Sequence, residues 1–394
     1  MTTSRTLSDM SVGIISDAHH YIDPAGRLYG LFPLARQFEQ WAALFREVVI
    51  CAPLLPGAPK ITHVPYAAQN IRLLPIKPAG GDTIRAKVNL LKRIPEWWRA
   101  IAELFREVDA VHLRCPNNIG ILGLIALRNT RFPSYAIYTG NWEGYPGEPI
   151  TYRGQRVALR RWFRGPVGAY LSTPVEHSRI KPTFSPSYSE TEWREQTEPV
   201  ASKIVKLRER SPARRLQLLS VGHLSANKNQ RYVLRLLQSL LKAGVPAQVT
   251  IAGHGPLRAE LEGFASSLNI SEHVTFSGLL GPAELHNAYL AADFVIQPSF
   301  TEGFSKVPVE AMLHGTIPLL SDIPVNARIV ADSRCGATFT LDTEQSAFDR
   351  LLPIWRDPTE MIACIERGRE YARSKTLEAW GAELAELLKT EWRE

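Results

Sequence analysis

The chain has 394 residues, 45% of them hydrophobic and 22% charged, with a formal net charge of +7 at pH 7. Two domains of ordinary size fit that length, and the composition excludes disordered, collagen-like and low-complexity proteins. The positive charge asks for an anionic partner without saying which.

In chain order, the N-terminal MTTSRTLSDMSVGIIS lacks an apolar core between a basic start and a cleavage site, so no signal peptide is predicted. Short apolar strands then alternate with amphipathic helices, the pattern of βα units around parallel sheets. Strands are predicted at 12–16, 48–52, 71–76, 110–115, 135–139 and 169–172, and helices near 31–44, 83–105, 119–128 and 151–163. Residues 180–215 turn to Ser, Pro and charge (KPTFSPSYSETEW, RERSPARR), which fits an interdomain connection with some helix inside it. The alternation then resumes, with strands at 217–221, 248–252, 274–276, 294–297 and 317–320. Helices follow at 230–242, 256–268, 282–291 and 308–314, with Gly244 and Gly315 where helices should stop. The predicted division is a Rossmann-like domain over 1–185, a connection over 186–212, a second Rossmann-like domain over 213–374 and a C-terminal helix over 375–394. No apolar run reaches the roughly 18 residues of a membrane span. The cysteines (Cys51, Cys115, Cys335, Cys364) form no CxxC pair, so free thiols in a cytoplasmic, reducing setting are expected.

The charge is not spread evenly. Residues 151–165 hold Arg153, Arg156, Arg160, Arg161 and Arg164 with no acid, beside Trp162 and Phe163. Residues 85–99 hold Arg85, Lys87, Lys92, Arg93 and Arg99 against Glu96, beside Trp97 and Trp98. Basic helices carrying aromatic residues suit an anionic membrane surface. A solvated face with its tryptophans turned inward is the competing reading. No nucleic-acid motif accompanies the charge, so nucleic acid is not an expected partner.

Open α/β sheets bind ligands where strand ends run into helix N-termini, so chemistry is sought in those loops. The most informative one is Pro298-Ser299-Phe300-Thr301-Glu302-Gly303-Phe304-Ser305, followed by a helix carrying Pro308 and Glu310. Gly303 lets backbone approach a ligand, and the amides of Phe304 and Ser305 can donate to sugar hydroxyls or phosphate oxygens. Glu302 and Glu310 are carboxylates able to accept from vicinal hydroxyls of a sugar or ribose. The plain alternative for Glu310 is a first-turn acid favoured by the helix dipole.

An ordered series extends this loop over about 120 residues. It comprises Val221-Gly222-His223-Leu224 with Lys228, Ile251-Ala252-Gly253-His254-Gly255-Pro256, Val274-Thr275-Phe276-Ser277-Gly278, Ala292-Asp293, Pro298-Ser299, Glu302-Gly303-Phe304 and Glu310-Ala311-Met312. In this order and spacing the chain resembles the donor domain of family 4 glycosyltransferases. The resemblance implies an α/β protein of the GT-B fold, two Rossmann-like domains facing across a cleft, the first binding the acceptor and the second a nucleoside-diphosphate sugar. It further implies that Glu310 holds the donor ribose, Glu302 lies beside the transferred sugar, and Lys228 neutralises the diphosphate. His223, Gly253, Gly255, Gly278, Gly303, Phe304 and Ser305 complete the implied donor site, and the C-terminal helix is implied to pack back on the first domain. Sugar transfer with retained anomeric configuration, no cofactor and no metal is implied as well.

The chain departs from the family at several positions. His223 stands where an arginine of the diphosphate clamp is usual, and its charge at pH 7 depends on its surroundings. In Asp109-Ala110-Val111-His112-Leu113-Arg114-Cys115-Pro116, Arg114 takes the place of a frequent histidine. His112 and Arg114 share a strand face, and Arg114, nearer the carboxyl end, is the expected site residue, a phosphate binder rather than a base. Asn141, Trp142 and Glu143 end the next strand with acceptor-type groups, although a packed tryptophan fits equally. Gly26 and Gly30 follow the first strand where paired glycines are usual, and Gly26 is assigned to the donor phosphates. His19 and His20 are adjacent, and adjacent residues rarely ligate one ion. The expected acceptor is a glycan or a lipid-linked group at the inner membrane face, which makes the protein peripheral. A non-catalytic sugar-nucleotide binder or partner subunit, and an epimerase or phosphorylase, are the rival readings.

Overall fold

The computed structural model describes residues 6–80, 83–172, 179–209 and 214–392. The chain forms two compact units, one running to Ser187 and taking up the segment from Leu377, the other spanning Tyr188–Thr376.

The first unit opens with β1 (Ser11–Ile15), β2 (His20–Ile22), β3 (Leu28–Leu31), α1 (Phe32–Leu44), β4 (Glu47–Pro53), β5 (His63–Pro65) and β6 (Ile71–Ile76). It continues through α2 (Ile84–Glu107), β7 (Ala110–Cys115), α3 (Asn118–Leu127), β8 (Ser134–Tyr138), α4 (Ile150–Arg161), β9 (Val167–Ala169) and β10 (Ile180–Pro182). Seven strands form a parallel sheet in the order β10-β9-β8-β7-β1-β4-β6. β1 is buried along its whole length because parallel strands are covered on both faces. On one face Trp97, Ile101 and Leu104 of α2, Leu124 of α3 and Leu159 of α4 meet Ile15, Val49, Leu113 and Ala136.

A small antiparallel sheet, β2-β3-β5, was not predicted. Its strands are three or four residues long, too short to show a period of two.

The second unit begins with α5 (Glu190–Glu195) and α6 (Thr197–Arg208), then β11 (Leu216–Val221), α7 (Gln230–Lys242), β12 (Ala247–Ala252), α8 (Arg258–Ser267), β13 (Val274–Gly278) and α9 (Pro282–Ala291). It ends with β14 (Phe294–Gln297), α10 (Lys306–Leu313), β15 (Ile317–Ser321), α11 (Pro324–Ser333), β16 (Ala337–Phe339), α12 (Glu344–Arg356) and α13 (Pro358–Arg373). Its six strands are parallel in the order β13-β12-β11-β14-β15-β16. α7 illustrates the sequence logic: Tyr232, Val233, Leu236, Leu237 and Leu240 recur at helical spacing and are all buried.

The segment 186–212 supplies α5 and α6, which are tied to the second unit. Trp193 donates to the Arg369 carbonyl at 3.0 Å, and Tyr188 donates to the Ala372 carbonyl at 2.8 Å. The last helix, α14 (Leu377–Glu391), lies in the first unit, where Trp380 donates to Thr183 at 3.2 Å. Among the described residues no helix is long and apolar enough to cross a membrane.

Candidate active site

In the second unit the loops at the carboxyl ends of β11, β12 and β13 are knitted through backbone. Gly253 donates to the Gly278 carbonyl at 2.8 Å, and Leu224 donates to the His254 carbonyl at 2.9 Å. The contact is so close that a Cβ on Gly253 would sit 1.9 Å from the Gly222 carbonyl oxygen, and one on Gly255 would sit 2.3 Å from that of Leu224. Gly253 also holds φ at +150°, which side chains disfavour. His223 is exposed, edge-on to His254 at 5.2 Å, and its carbonyl accepts from Gln230 at 3.1 Å.

The loop after β14 is clamped to the turn before α7. Asn227 donates from Nδ2 to the Thr301 carbonyl at 3.0 Å and accepts from the Thr301 amide at 3.1 Å, while its own carbonyl accepts from Phe300 at 2.9 Å. This registers Lys228 against Glu302, whose Oε1 accepts from Nζ at 2.5 Å. The same Oε1 accepts from Gln297 Nε2 at 2.9 Å, and Ser305 Oγ donates to Gln297 Oε1 at 2.7 Å. Gly303 and Phe304 fill the short turn between Glu302 and the start of α10, and Phe304 packs partly on the core.

α10 starts at Lys306, two residues before the predicted start, so Glu310 lies beyond its first turn. The helix-dipole reading of Glu310 therefore does not apply. Instead Tyr289 of α9 donates to Glu310 Oε2 at 2.9 Å. His314 stacks on Tyr289, and its Nδ1 donates to the Glu310 carbonyl at 2.7 Å. Burial pushes the His314 imidazole down to about 3, so the ring is neutral at pH 7.

In the first unit a concavity at the carboxyl end of the sheet is lined by Asp17, His19, His63, Arg114, Asn117 and Thr139. Arg114 lies there, its guanidinium 5.9 Å from the Phe38 ring centre, whereas His112 is buried between Trp41 and Tyr135. His20 is also buried, its ring nitrogens bonded to the Ala18 carbonyl and the Tyr66 hydroxyl, each at 2.9 Å. The loop 141–143 uses its groups internally. Asn141 Oδ1 accepts from the Glu143 and Gly144 amides, and Glu143 accepts from Ser172 Oγ at 2.7 Å. Trp142 is buried, edge-on to Tyr138 and covered by Arg160, so it offers no face to a sugar. Gly26 sits at φ +80° in the exposed turn joining β2 and β3, rather than in the loop directly after β1.

Sequence reasoning missed Gln297, Tyr289 and Asn227. Gln297 did carry a signal: it is the polar residue ending the otherwise apolar strand FVIQ. Tyr289 gave none, since aromatic residues on a helix usually mean core.

Residues 204–371, which include His223, Lys228, Gln297, Glu302 and Glu310, match the family model described as glycosyl transferases group 1. An alpha-monoglucosyldiacylglycerol synthase of Streptococcus pneumoniae is 24% identical over 247 residues, 59% of this chain and 56% of that enzyme. The chain thus spans about half the length of this relative. Among solved structures, a sucrose-phosphate synthase from Thermosynechococcus elongatus superposes with a TM-score of 0.71 at 18% identity, covering 97% of this chain and 99% of the other. Anabaena HepE, crystallised with UDP and glucose, gives 0.70 at 14% identity, covering 97% and 100%. The chain is therefore an α/β protein of the GT-B fold, and its residues 204–371 carry the likeness to group 1 glycosyl transferases.

Proposed function

We propose that the chain is a glycosyltransferase that moves a sugar from a nucleoside-diphosphate donor to an acceptor hydroxyl with retained anomeric configuration. The observation that carries this reading is the Lys228–Glu302 pair, held beside glycine loops pressed backbone to backbone. Backbone amides and a lysine suit a diphosphate, because charge accumulates on it as the glycosidic bond breaks. Lys228 meets the diphosphate, Glu302 the transferred sugar and Glu310 the ribose, with His223 as a hydrogen-bond donor to phosphate. The HepE structure, which holds UDP, supports a nucleotide in this fold. In this reading the departing phosphate takes the acceptor proton, so Arg114 need not be a base, and no metal is needed.

The acceptor side is assigned to Arg114 with Asp17, His19, His63 and Asn117, groups fitted to hydroxyls or a phosphate. Glycolipid or polysaccharide assembly at an anionic membrane face is the setting we favour. Of the fourteen exposed large apolar side chains among the described residues, eight lie on one helical layer of the first unit. Val88, Leu91, Ile94 and Trp98 are on α2, Ile125 on α3, and Ile150, Val157 and Trp162 on or next to α4. Exposed Lys87, Lys92, Arg99, Arg153 and Arg161 border them. Apolar residues ringed by cations match a lipid surface of opposite charge. Arg156 does not belong to this face, since it is buried against Glu148.

The test begins with thermal shift against nucleoside diphosphates and their sugars, followed by a transfer assay with a chelator present. Stabilisation by one diphosphate class and chelator-insensitive transfer are expected. Binding without transfer to any acceptor would favour the non-catalytic reading. For the membrane, wild type should co-float with anionic vesicles at low salt and L91S/W98S should not. Equal flotation of both would remove α2 from the interface.

A further inference from the structure

The hydrogen bonds around Glu302 have a direction fixed by chemistry. A carboxylate only accepts, so the group 2.9 Å from Glu302 Oε1 on Gln297 must be its amide nitrogen. Gln297 Oε1 is then left facing Ser305 Oγ at 2.7 Å, and the hydroxyl must donate. Both Gln297 and Ser305 are buried. Gln297 ends β14, a fully buried strand paired on both sides, so its side chain starts from rigid backbone. Lys228 approaches the same Oε1 from a flexible stem and is more exposed. Oε2 of Glu302 has no hydrogen-bond partner among the described residues.

We infer that Gln297 is the positioning residue of Glu302, with Ser305 fixing the orientation of its amide. This rests on the reading of Glu302 and Lys228 given above. Gln297 pins one carboxylate oxygen so that the other is presented to the sugar. When Lys228 turns to the diphosphate, Gln297 keeps the carboxylate in place. The relay therefore acts on turnover more than on donor binding.

The experiment uses Q297L, Q297E and S305A in the full chain, with kcat, donor KM and the pH profile measured for each. Q297L is expected to lower kcat on the order of tenfold with donor KM within about twofold, the pattern of an interaction used in the transition state. Q297E places a second carboxyl on Glu302, and two adjacent carboxyls share a proton. Protonated, it donates as the amide did. Q297E should therefore approach wild type at low pH and fall away as pH rises, whereas Q297L stays low throughout. S305A should lie between wild type and Q297L. Turnover of Q297L within twofold of wild type overturns the proposal, as do parallel pH profiles for Q297L and Q297E. If Q297L does not fold, the Q297E profile and S305A decide. A readout without turnover separates this proposal from the function it rests on. In a carboxyl NMR spectrum, removing the donor should move the side-chain carboxyl resonance of Glu302 in Q297L, identified by its absence in E302Q. An unshifted Glu302 overturns the relay, and a wild type that binds donor and transfers nothing overturns the catalytic reading alone.

Discussion

Single side chains decide the proposed chemistry. Lys228 and Glu302 come from loops 74 positions apart and meet at 2.5 Å. K228A is expected to lower kcat about a hundredfold, because it removes a cation from the leaving phosphate. The pair is partly exposed, so its loss should hardly change the melting temperature. Single-turnover kinetics beside a thermal melt checks both outcomes. Glu310 offers a different test. Its Oε2 is held by Tyr289, and a hydrogen bond to a charged group is worth about 1.5–3 kcal/mol. Y289F should therefore weaken nucleoside diphosphate binding about tenfold, measured by calorimetry. Unchanged affinity would mean that Tyr289 merely fills space. Glu302, Glu310 and Lys228 were legible because their loop and motif spacing are local. Tyr289 and Asn227 were not, because each matters only for a partner that folding brings to it.

At the scale of elements, the glycine loops are the most demanding feature. Gly253→Ala forces a Cβ into the Gly222 carbonyl at an unfavourable φ, which should cost about 3 kcal/mol or part the two loops. Lower stability of the second unit together with weaker donor binding is expected in melts with and without nucleotide. Retained stability and affinity would show that the loops can separate freely. The long helices and central strands were readable because their period and apolar content announce them, as in α7 and β11. The hairpin β2–β3 was not, since strands of three or four residues are held by pairing rather than pattern. The basic segments were ambiguous for the same reason. Trp97 turns inward and donates to the Lys77 carbonyl while the adjacent Trp98 stays out, and Phe163 is buried while Trp162 is exposed beneath Arg128.

The whole molecule should answer to acid through its buried histidines. His20 and His112 in the first unit and His314 in the second are all held below the ordinary value of 6.5 by burial, His20 at about 4 and His314 at about 3. Unfolded, each takes up a proton below about 6.5; folded, each resists until far lower pH. The unfolded state therefore binds more protons in that window, so stability is full above 6.5 and falls as pH drops toward 4. The slope should be about 1.4 kcal/mol per pH unit for each such histidine. H314N, which keeps a donor near the Glu310 carbonyl, should flatten the acid slope of the second unit in melts between pH 7 and 4.5. An identical slope would assign the acid loss to other groups. What the sequence by itself determined is the alternation of strand and helix and the ordered loop motifs, because both are written in neighbouring residues. Which tryptophan faces solvent, which histidine is sealed and neutral, and which amide grips Glu302 were decided only by the tertiary structure, because burial and hydrogen-bond geometry depend on residues far away in the chain.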